Sequence, residues 1–410
     1  MIHRKFDQNK DMEACHRIWR EVAWIENKEH EKAMDIFLEG TRALVGELNG
    51  NVEALVVSTP GRVRYLEKDI TLSAVCGVTT SYAGRKRGLA GKLTAELIAL
   101  DVAEGALLAG LGIFDQGYYD KLGFGTGPYE TFIGFDPASL NLNMNPPPPV
   151  RLTKDDWELV HRSRLKRMRV HGNTSLSREE ITRAEMLWSK NGFGLGYMDG
   201  DNELLSHHFW CGFSEGEHGP YVINWMCYRN YCQFLELLGL IKNLGDQVHL
   251  VKLNEPSAIQ IQDLLKTPLR NHRKTEKSKF EAVNRSSAYW QIRICNLEKC
   301  LERTVLHGDP VTFNLKLMDP IENYLEQDAP WHGISGSYIV TLGPRSYATQ
   351  GHDRSLPLLE ASVGAFSRMW IGARPPTGLC VTDDLAGPEE LIRKLDRILQ
   401  LPSPRIDWEY

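Results

Sequence analysis

A basic loop that contains glycine stands between a predicted strand and a predicted helix. The strand spans Thr71–Thr80, the loop reads Arg85-Lys-Arg-Gly-Leu-Ala90, and the helix spans Gly88–Glu104. Backbone N–H groups at a helix start have no intrahelical partner, and together with the helix dipole they attract anions. The loop therefore predicts a phosphate site, with pyrophosphate as its natural occupant. The alternative is a capped helix that carries basic surface residues.

The same loop follows the pattern Arg-x-x-Gly-x-Ala after a strand, which resembles the acetyl-CoA loop of the GNAT N-acetyltransferases. The resemblance implies acetyl-CoA as the co-substrate. It also implies that the pantetheine arm pairs with the preceding strand, where that strand splays from the next one at Ala106–Phe114. The cofactor-binding residues that the resemblance implies are Val78, Thr79, Thr80, Arg85, Lys86, Arg87, Gly88, Leu89, Ala90, Gly91, Phe114 and Asp115.

An aromatic turn, Tyr118–Gly125, matches the family's end of this region. The family's tyrosine lies four residues before the glycine of the turn, Gly123, and therefore falls on Tyr119. Acetyl transfer from a thioester to an amine expels a thiolate of pKa ~8.5, against ~10 for tyrosine. A phenol hydrogen-bonded to that sulfur can serve as a general acid. We predict Tyr119 as this acid and Tyr118 as a packing residue.

The acceptor amine, of pKa ~10.4, must lose a proton before it attacks, so the site needs a base. No histidine in residues 1–150 is clearly placed for this role. Over its whole length the chain resembles the enhanced-intracellular-survival (Eis) acetyltransferases, whose C-terminal carboxylate returns to the active site as the base. The resemblance assigns that role to Tyr410 and acceptor binding to Glu409 and Trp24. A frayed tail is the alternative.

The sequence departs from the family at the floor of the site. The family's acidic-Gly-Gly-apolar-Tyr run appears as Asp115-Gln-Gly-Tyr-Tyr119. The helical region that lines the acceptor site, about Cys15–Phe37, matches only in general character. The acceptor therefore stays open among an aminoglycoside-like compound, a polyamine and a lysine.

Four consecutive prolines in Asn143–Val150 require an extended connector, since proline fixes φ and removes backbone donors. We predict a mixed fold, α+β and α/β, with two GNAT-like domains in tandem and a C-terminal α+β domain that resembles sterol carrier protein 2. The expected boundaries are 1–145 for the catalytic domain, 146–289 for a degenerate GNAT-like domain and 290–410 for the third. An Asn49-Gly50 hairpin and a helix over Leu356–Met369 are further expectations.

Composition narrows the class of protein. The 410 residues are 42% hydrophobic and 25% charged, which is enough for several large cores and excludes a disordered chain. The net charge of -5 gives no support to nucleic-acid binding. No apolar run reaches ~18 residues and no signal peptide is evident, so we expect no membrane segment and a cytoplasmic location. The scattered cysteines predict reduced thiols and no metal site.

The sequence therefore favours direct acetyl transfer to an amine in a ternary complex. A covalent acyl-enzyme on Cys76, which lies in the donor strand, is the alternative mechanism. A different class of protein, a carrier of lipid or another hydrophobic ligand that uses the third domain, would leave the CoA loop vestigial. The intact loop and Tyr119 argue against that reading. Eis proteins are commonly hexameric, so the resemblance also implies a homo-oligomer.

Overall fold

A computed structural model describes residues 2–115, 117–200, 203–213 and 216–410. The strands in chain order are β1 Ile2–Lys5, β2 Arg42–Leu48, β3 Asn51–Tyr65, β4 Lys68–Thr80, β5 Leu108–Gly112, β6 Gly125–Thr126, β7 Glu130–Phe135, β8 Val150–Leu152, β9 Thr174–Leu176, β10 Phe193–Met198, β11 Leu205–Phe213, β12 Tyr221–Cys227, β13 Val251–Asn254, β14 Val283–Ser287, β15 Trp290–Ile294, β16 Val311–Met318, β17 Gly336–Leu342, β18 Tyr347–Gln350, β19 Leu358–Ser362 and β20 Leu385–Ala386.

The α-helices connect these strands and cover their sheets. They are α1 Gln8–Glu21, α2 Lys28–Glu39, α3 Leu89–Ala103, α4 Trp157–Lys166, α5 Glu179–Trp188, α6 Tyr231–Asn243, α7 Pro268–Thr275, α8 Leu297–Leu301, α9 Val363–Trp370, α10 Pro376–Thr382 and α11 Glu389–Ile398. Within the described ranges, none of the helices is long and apolar enough to cross a bilayer.

The first sheet has the strand order β1-β2-β3-β4-β5-β15-β6, with β9 added beside β3. Its β2–β3 hairpin turns at Asn49 and Gly50, both with positive φ, as the Asn-Gly pair predicts. The neighbouring strands β4 and β5 of this sheet are parallel. The mixed α and β fold class expected from the sequence is confirmed.

The two parallel strands separate before β4 ends. Their pairing runs from Leu72 opposite Leu108 to Val75 opposite Leu111. At that point the β3–β4 register shifts, which leaves Cys76 as an extra residue on β4. From Gly77 to Thr80, β4 pairs with β3 alone. A bulge bends a strand and re-aims its side chains, so this one accompanies the splay that the sequence predicted between the two strands.

Alternating side chains of β5 separate the two faces of this sheet. Ala109 and Leu111 pack in the core beneath α3. Leu108 packs in the core on the other face, where α1 supplies Cys15 and Trp19. The two faces of the sheet are therefore covered by different helices, as in other layered α/β domains.

Two strands belong to sheets that are formed mainly by another part of the chain. The second sheet has the order β14-β7-β13-β12-β11-β10-β8, so it takes in β7, which precedes the proline connector. The first sheet takes in β15, the strand with which the third part of the chain begins, between β5 and β6. Hydrogen-bonded sheet thus crosses both boundaries that the sequence predicted.

The third sheet has the order β18-β17-β16-β19-β20 and is covered by α9 and α11. The predicted helix over Leu356–Met369 is wrong in its first half. There the chain forms β19, parallel to β16, and the helix α9 starts only at Val363. Leu359 and Ala361 alternate inward from β19, a period of two that the helical assignment overlooked.

The last residues of the chain are bound to the second domain. Asp407 accepts hydrogen bonds from Arg167 Nε at 2.7 Å and Nη2 at 2.8 Å, and from the Thr174 amide at 3.1 Å. Trp408 is 1% exposed, and the Arg164 guanidinium lies 3.6 Å from the centre of its ring. These contacts order Asp407 and Trp408, which argues against the alternative that the end of the chain is frayed.

Replacing Asp407 with alanine is expected to destabilise the protein by about 3 kcal/mol, because Arg167, only 5% exposed at its side chain, would keep a buried charge without its carboxylate. Denaturation by urea measures this. The control is Glu67→Ala, which removes an arginine partner that is 90% exposed and should cost under about 1 kcal/mol. Equal effects of the two substitutions would contradict the structural role of Asp407.

Candidate active site

A cavity of about 610 Å³ lies between the first sheet, the second sheet and the last residues of the chain. Its walls are rich in aromatic side chains, and the charged side chains that line it are of both signs. Arg164 and Arg167 are paired there with Glu185 and Asp407. Among the side chains that line it are Trp24, Cys76, Trp188, Tyr228, Glu409 and Tyr410. The bulge at Cys76 therefore opens onto this cavity, which makes the end of the β4–β5 pair part of its wall.

Tyr410 lies against β5 on the face away from α3. Its hydroxyl occupies the space above Gly110, which a Cβ would fill, and its main-chain oxygen lies 3.6 Å from where a Cβ of Gly112 would stand. The hydroxyl is buried and has no hydrogen-bond partner among the residues that the structure describes. Burial raises the pKa of this phenol above its usual range, so the hydroxyl keeps its proton at neutral pH and is unsuited to act as a base.

The other residues predicted for the acceptor line the same cavity. Glu409 is exposed, and its Oε1 accepts a hydrogen bond from Asn254 Nδ2 at 3.0 Å. Trp24 is 43% exposed and packs edge-on against Trp19, with the ring centres 5.2 Å apart. The structure therefore brings Trp24, Glu409 and Tyr410 together, although Trp24 is separated from the tail by most of the chain.

Glu130, at the start of β7, is a carboxyl group beside this site that the sequence analysis missed. Burial raises its pKa to about 7; nearby Arg405 opposes this shift, while Glu409 and Asp407 add to it. Its partner in the ladder, Ser287, stands two residues before Tyr289, which lines the cavity. No local pattern distinguishes this glutamate from others, because its environment is made by the tail.

Cys76 contacts the cavity as a protonated thiol. Its Sγ lies 3.8 Å from the carbonyl oxygen of Val57, and burial raises its pKa well above the usual range. A thiol is a much weaker nucleophile than a thiolate. The environment of Cys76 therefore disfavours the acyl-enzyme alternative.

Tyr119 lies on the opposite face of the sheet, in the core beneath α3. It is 2% exposed and touches Tyr118 edge-on, with the ring centres 4.8 Å apart. Burial raises the pKa of its phenol, so the group keeps its proton at neutral pH. Tyr119 and Tyr410 thus face the splayed strands from opposite sides.

The basic loop has the backbone shape of an anion cradle. Lys86 and Gly88 both have positive φ, 59° and 78°, on either side of Arg87. Alternating left-handed residues turn successive N–H groups toward one point. Arg85, Lys86 and Arg87 are exposed, and the guanidinium of Arg85 lies 5.1 Å from the centre of the Tyr82 ring.

Other residues of the predicted donor site can act only through their backbone. Leu89 is 1% and Ala90 9% exposed, so both side chains belong to the core at the start of α3. Gly91 follows, and a Cβ there would lie 3.4 Å from the ring of Tyr324. On β4, Thr79 is buried and receives a hydrogen bond from Trp19 Nε1, while Val78 and Thr80 are partly exposed.

The strand predicted over Ala106–Phe114 is shorter in the structure. β5 ends at Gly112, and Phe114 is 73% exposed beyond it. Phe114 and the exposed Asp115 are therefore loop residues and not part of the ladder. Gln116, the departure from the family's glycine, lies outside the described residues.

The residues present fit acetyl-CoA, which would bind here as a substrate. An unpaired strand edge at Gly77–Thr80 leads to the cradle at Lys86–Gly88, and both lie at the N-terminal end of α3. Across the described ranges, no three His, Cys, Asp or Glu side chains are grouped so as to hold a metal ion.

Comparison with known proteins agrees with this geometry. Residues 5–127 match the family described as acetyltransferase (GNAT) domain. No curated protein sequence matches the chain. Residues 5–127 therefore form a GNAT acetyltransferase domain, a kind of domain that uses acetyl-CoA, and the chain is an acyltransferase.

Solved structures match the entire chain. The GCN5-related N-acetyltransferase from Anabaena variabilis ATCC 29413 is 17% identical, with a TM-score of 0.77 and all of both chains covered. A conserved protein of unknown function from Enterococcus faecalis V583 is 16% identical, with a TM-score of 0.77, 100% of this chain and 99% of that one covered. Eis1 from Mycobacterium abscessus is 13% identical, with a TM-score of 0.76 and full coverage of both chains. At these identities the likeness establishes the fold alone.

The raised pKa of Glu130 makes stability depend on pH. Its folded-state pKa of about 7 exceeds the ordinary 4.5, so between these values the folded protein binds more protons and stability falls as pH rises. Glu130→Gln should therefore stabilise the protein at pH 8 by on the order of 2 kcal/mol, with the difference disappearing toward pH 5. Thermal denaturation across this range measures it. Glu389→Gln, at a side chain 78% exposed, is the control and should show little effect.

Proposed function

We propose that the chain is an acetyl-CoA-dependent N-acetyltransferase that transfers acetyl directly to an amine in a ternary complex. The observation that carries the proposal is the position of Tyr410. Tyr410 lines the aromatic-rich cavity and lies against β5, close to the point where the β4–β5 pairing ends. A carboxylate there would meet both the acceptor and the acyl carbon of a donor held by the splayed strand.

The donor would be held by the groups at the N-terminal end of α3. Val78, Thr79 and Thr80 on the unpaired edge of β4 would take the pantetheine arm. The backbone of Lys86–Gly91 would take the pyrophosphate, with Arg85, Lys86 and Arg87 adding positive charge. Phe114 and Asp115, in the loop after β5, would border the same groove.

The chemistry then divides between the two faces of the sheet. The Tyr410 carboxylate takes a proton from the acceptor ammonium, and the free amine attacks the thioester carbonyl carbon. A C–N bond forms and the C–S bond breaks, which gives an N-protonated amide and a thiolate. The nitrogen then loses this second proton to solvent, which leaves the neutral amide. Tyr119 donates its proton to that sulfur and regains one from solvent. A phenol that burial keeps protonated suits this acid role.

The walls of the cavity indicate a cationic acceptor. Trp24 and Trp188 offer aromatic faces, which attract cations, and Glu409 places a carboxylate at the exposed side. We propose the amines of a polycationic small molecule, aminoglycoside-like or a polyamine, or a lysine, as the substrate class.

The wider organisation is proposed along the lines of the Eis proteins. The units would be 1–145, 146–289 and 290–410, the last related to sterol carrier protein 2. The assembly would be a homo-oligomer, a hexamer as in the Eis family, and located in the cytoplasm. Likeness in fold to Eis1 over the whole chain supports the family assignment.

Deleting Glu409 and Tyr410 is expected to abolish turnover and to spare acetyl-CoA binding. The terminal carboxylate of the shortened chain would belong to Trp408, two residues earlier, and would no longer reach β5. Thiol release from acetyl-CoA with a panel of polyamines, aminoglycosides and lysine peptides measures turnover, and calorimetry measures binding. Tyr410→Phe is the matched variant, since it keeps the terminal carboxylate and removes a hydroxyl without a partner; it should keep most turnover. Full activity after the deletion would exclude this base, and no thiol release by the intact protein with any amine would count against the enzyme.

Replacing Tyr119 with phenylalanine is expected to lower kcat by about 100-fold through loss of the acid. The ring should still fill the core beneath α3, so stability should change little. Tyr118→Phe is the matched control and should keep kcat within about threefold. Equal kcat values for the wild type and the Tyr119→Phe variant would show that the thiolate leaves without this proton.

A further inference from the structure

We infer that Arg293 and Asp319, a buried ion pair of the third part of the chain, are positioning residues for Tyr119. The inference rests on the proposed function, in which Tyr119 is the general acid. The pair joins Arg293 Nη2 to Asp319 Oδ2 at 2.6 Å, and both side chains are fully buried. Both residues lie far along the chain from the tyrosine, although the strand of Arg293, β15, belongs to the first sheet.

Strand β15 brings this pair to the acid. It lies between β5 and β6 of the first sheet, with Ile292 opposite Gly110 on β5 and Gly125 on β6. Its apolar residues Trp290, Ile292 and Ile294 pack in the core that contains Trp19. Because side chains alternate along a strand, Gln291 and Arg293 point to the other face, where Tyr119 lies.

Arg293 holds the carbonyl end of the turn that begins at Tyr119. This turn contains a short 3₁₀ helix, Asp120–Leu122, capped by Tyr119 and Gly123. The carbonyl of Tyr119 accepts hydrogen bonds from the amides of Leu122 and Phe124, at 2.9 and 3.3 Å. Arg293 Nη1 donates to the carbonyl oxygen of Leu122. The guanidinium therefore fixes the carbonyl that the turn itself leaves without an intrahelical partner.

Gln291 holds the same turn at a second point. Its Nε2 donates to Asp120 Oδ1 and to Thr126 Oγ1, both at 2.9 Å. Gln291 is fully buried. Gln291 thus binds Asp120, and Arg293 binds Leu122, so two side chains on one face of β15 hold the turn.

Gly123 is required for the approach of the pair to the turn. Its φ is +77°, and a Cβ on it would lie 2.9 Å from Arg293 Nη1 and 3.1 Å from Asp319 Oδ1. Glycine is thus needed for both its conformation and its lack of a side chain. The glycine by which the sequence located the acid is in contact with the pair that holds it.

Asp319 is itself fixed within the third part of the chain. Its carboxylate accepts hydrogen bonds from the amides of Ile321 at 3.2 Å and Ile334 at 3.0 Å. A buried ion pair adds little stability over apolar residues of the same size, because desolvation offsets the attraction. In this fold the effect of the ion pair is on geometry, because it anchors the turn after Tyr119 to residues that lie far along the chain.

The test is a double-mutant cycle that combines Arg293→Met with Asp319→Asn. The combination leaves no unpaired charge, and the asparagine keeps one side-chain oxygen that can accept from one of the two amides. In the protein with Tyr119, kcat should fall at least tenfold while the Kd for acetyl-CoA stays within about twofold. In the Tyr119→Phe background the same combination should change kcat by less than about twofold, because residues that act through one group are non-additive.

The control is a second arginine–aspartate pair remote from the turn. Arg169 Nη2 lies 2.6 Å from Asp69 Oδ2. Arg169→Met with Asp69→Asn should lower thermal stability and leave kcat within about twofold. An equal loss of kcat from the Arg293 and Asp319 change in both backgrounds, or no loss at all, would overturn the positioning role.

Amide hydrogen exchange separates this inference from the proposed function. The pair's removal should accelerate exchange at Leu122, Gly123 and Phe124 at least tenfold and leave the middle of α3 unchanged. Unaltered exchange at the turn would overturn the inference even in an active enzyme. Equal kcat in wild type and Tyr119→Phe would instead refute the acid assignment, and the faster exchange would still establish that the pair holds the turn.

Discussion

The hydrogen-bonded ion pair of Asp407 with Arg167 determines where the tail ends, and the site depends on that position. It joins a residue near the end of the chain to the end of α4, and it is followed at once by the buried ring of Trp408. Glu409 and Tyr410 follow directly after this anchored ring and line the cavity. One wall of the cavity is therefore made by residues that lie far along the chain from the first sheet.

Short-range sequence patterns predict the elements around the basic loop. The Asn49-Gly50 turn, the strand before the basic loop and the helix from Leu89 all follow from short-range patterns. The splay of β4 from β5 came from the family resemblance, and the pairing that ends at Val75 agrees with it. The extent of β5 was overestimated at Phe114, because an apolar run does not show where its ladder partners stop.

Long-range pairing limits what the sequence can predict. The insertion of β15 into the first sheet joins residues that are about 180 positions apart in the chain, and no local pattern encodes it. Glu130 and Arg293 are ordinary charged residues in the sequence. The raised pKa of Glu130 comes from its burial, and Arg293 is paired with Asp319, which lies elsewhere along the chain. The few apolar residues of β19 fit either period, which is why the sequence pattern predicts a helix there. Local signals indicate the basic loop and the strand before it, whereas the cavity lined by Tyr410 is formed by tertiary contacts.

The position of β15 also has a consequence for how the chain is synthesised. About 180 residues separate the end of β5 from the strand that must pair with it, so at 5–20 residues per second a ribosome needs roughly 10 to 40 s to supply that strand. During this interval the nascent first sheet has an open edge at β5, and such edges invite pairing with other chains. A fragment that stops before Trp290 would keep that open edge permanently. Completion of the catalytic sheet is therefore a late event of biosynthesis, even though most of its residues emerge first.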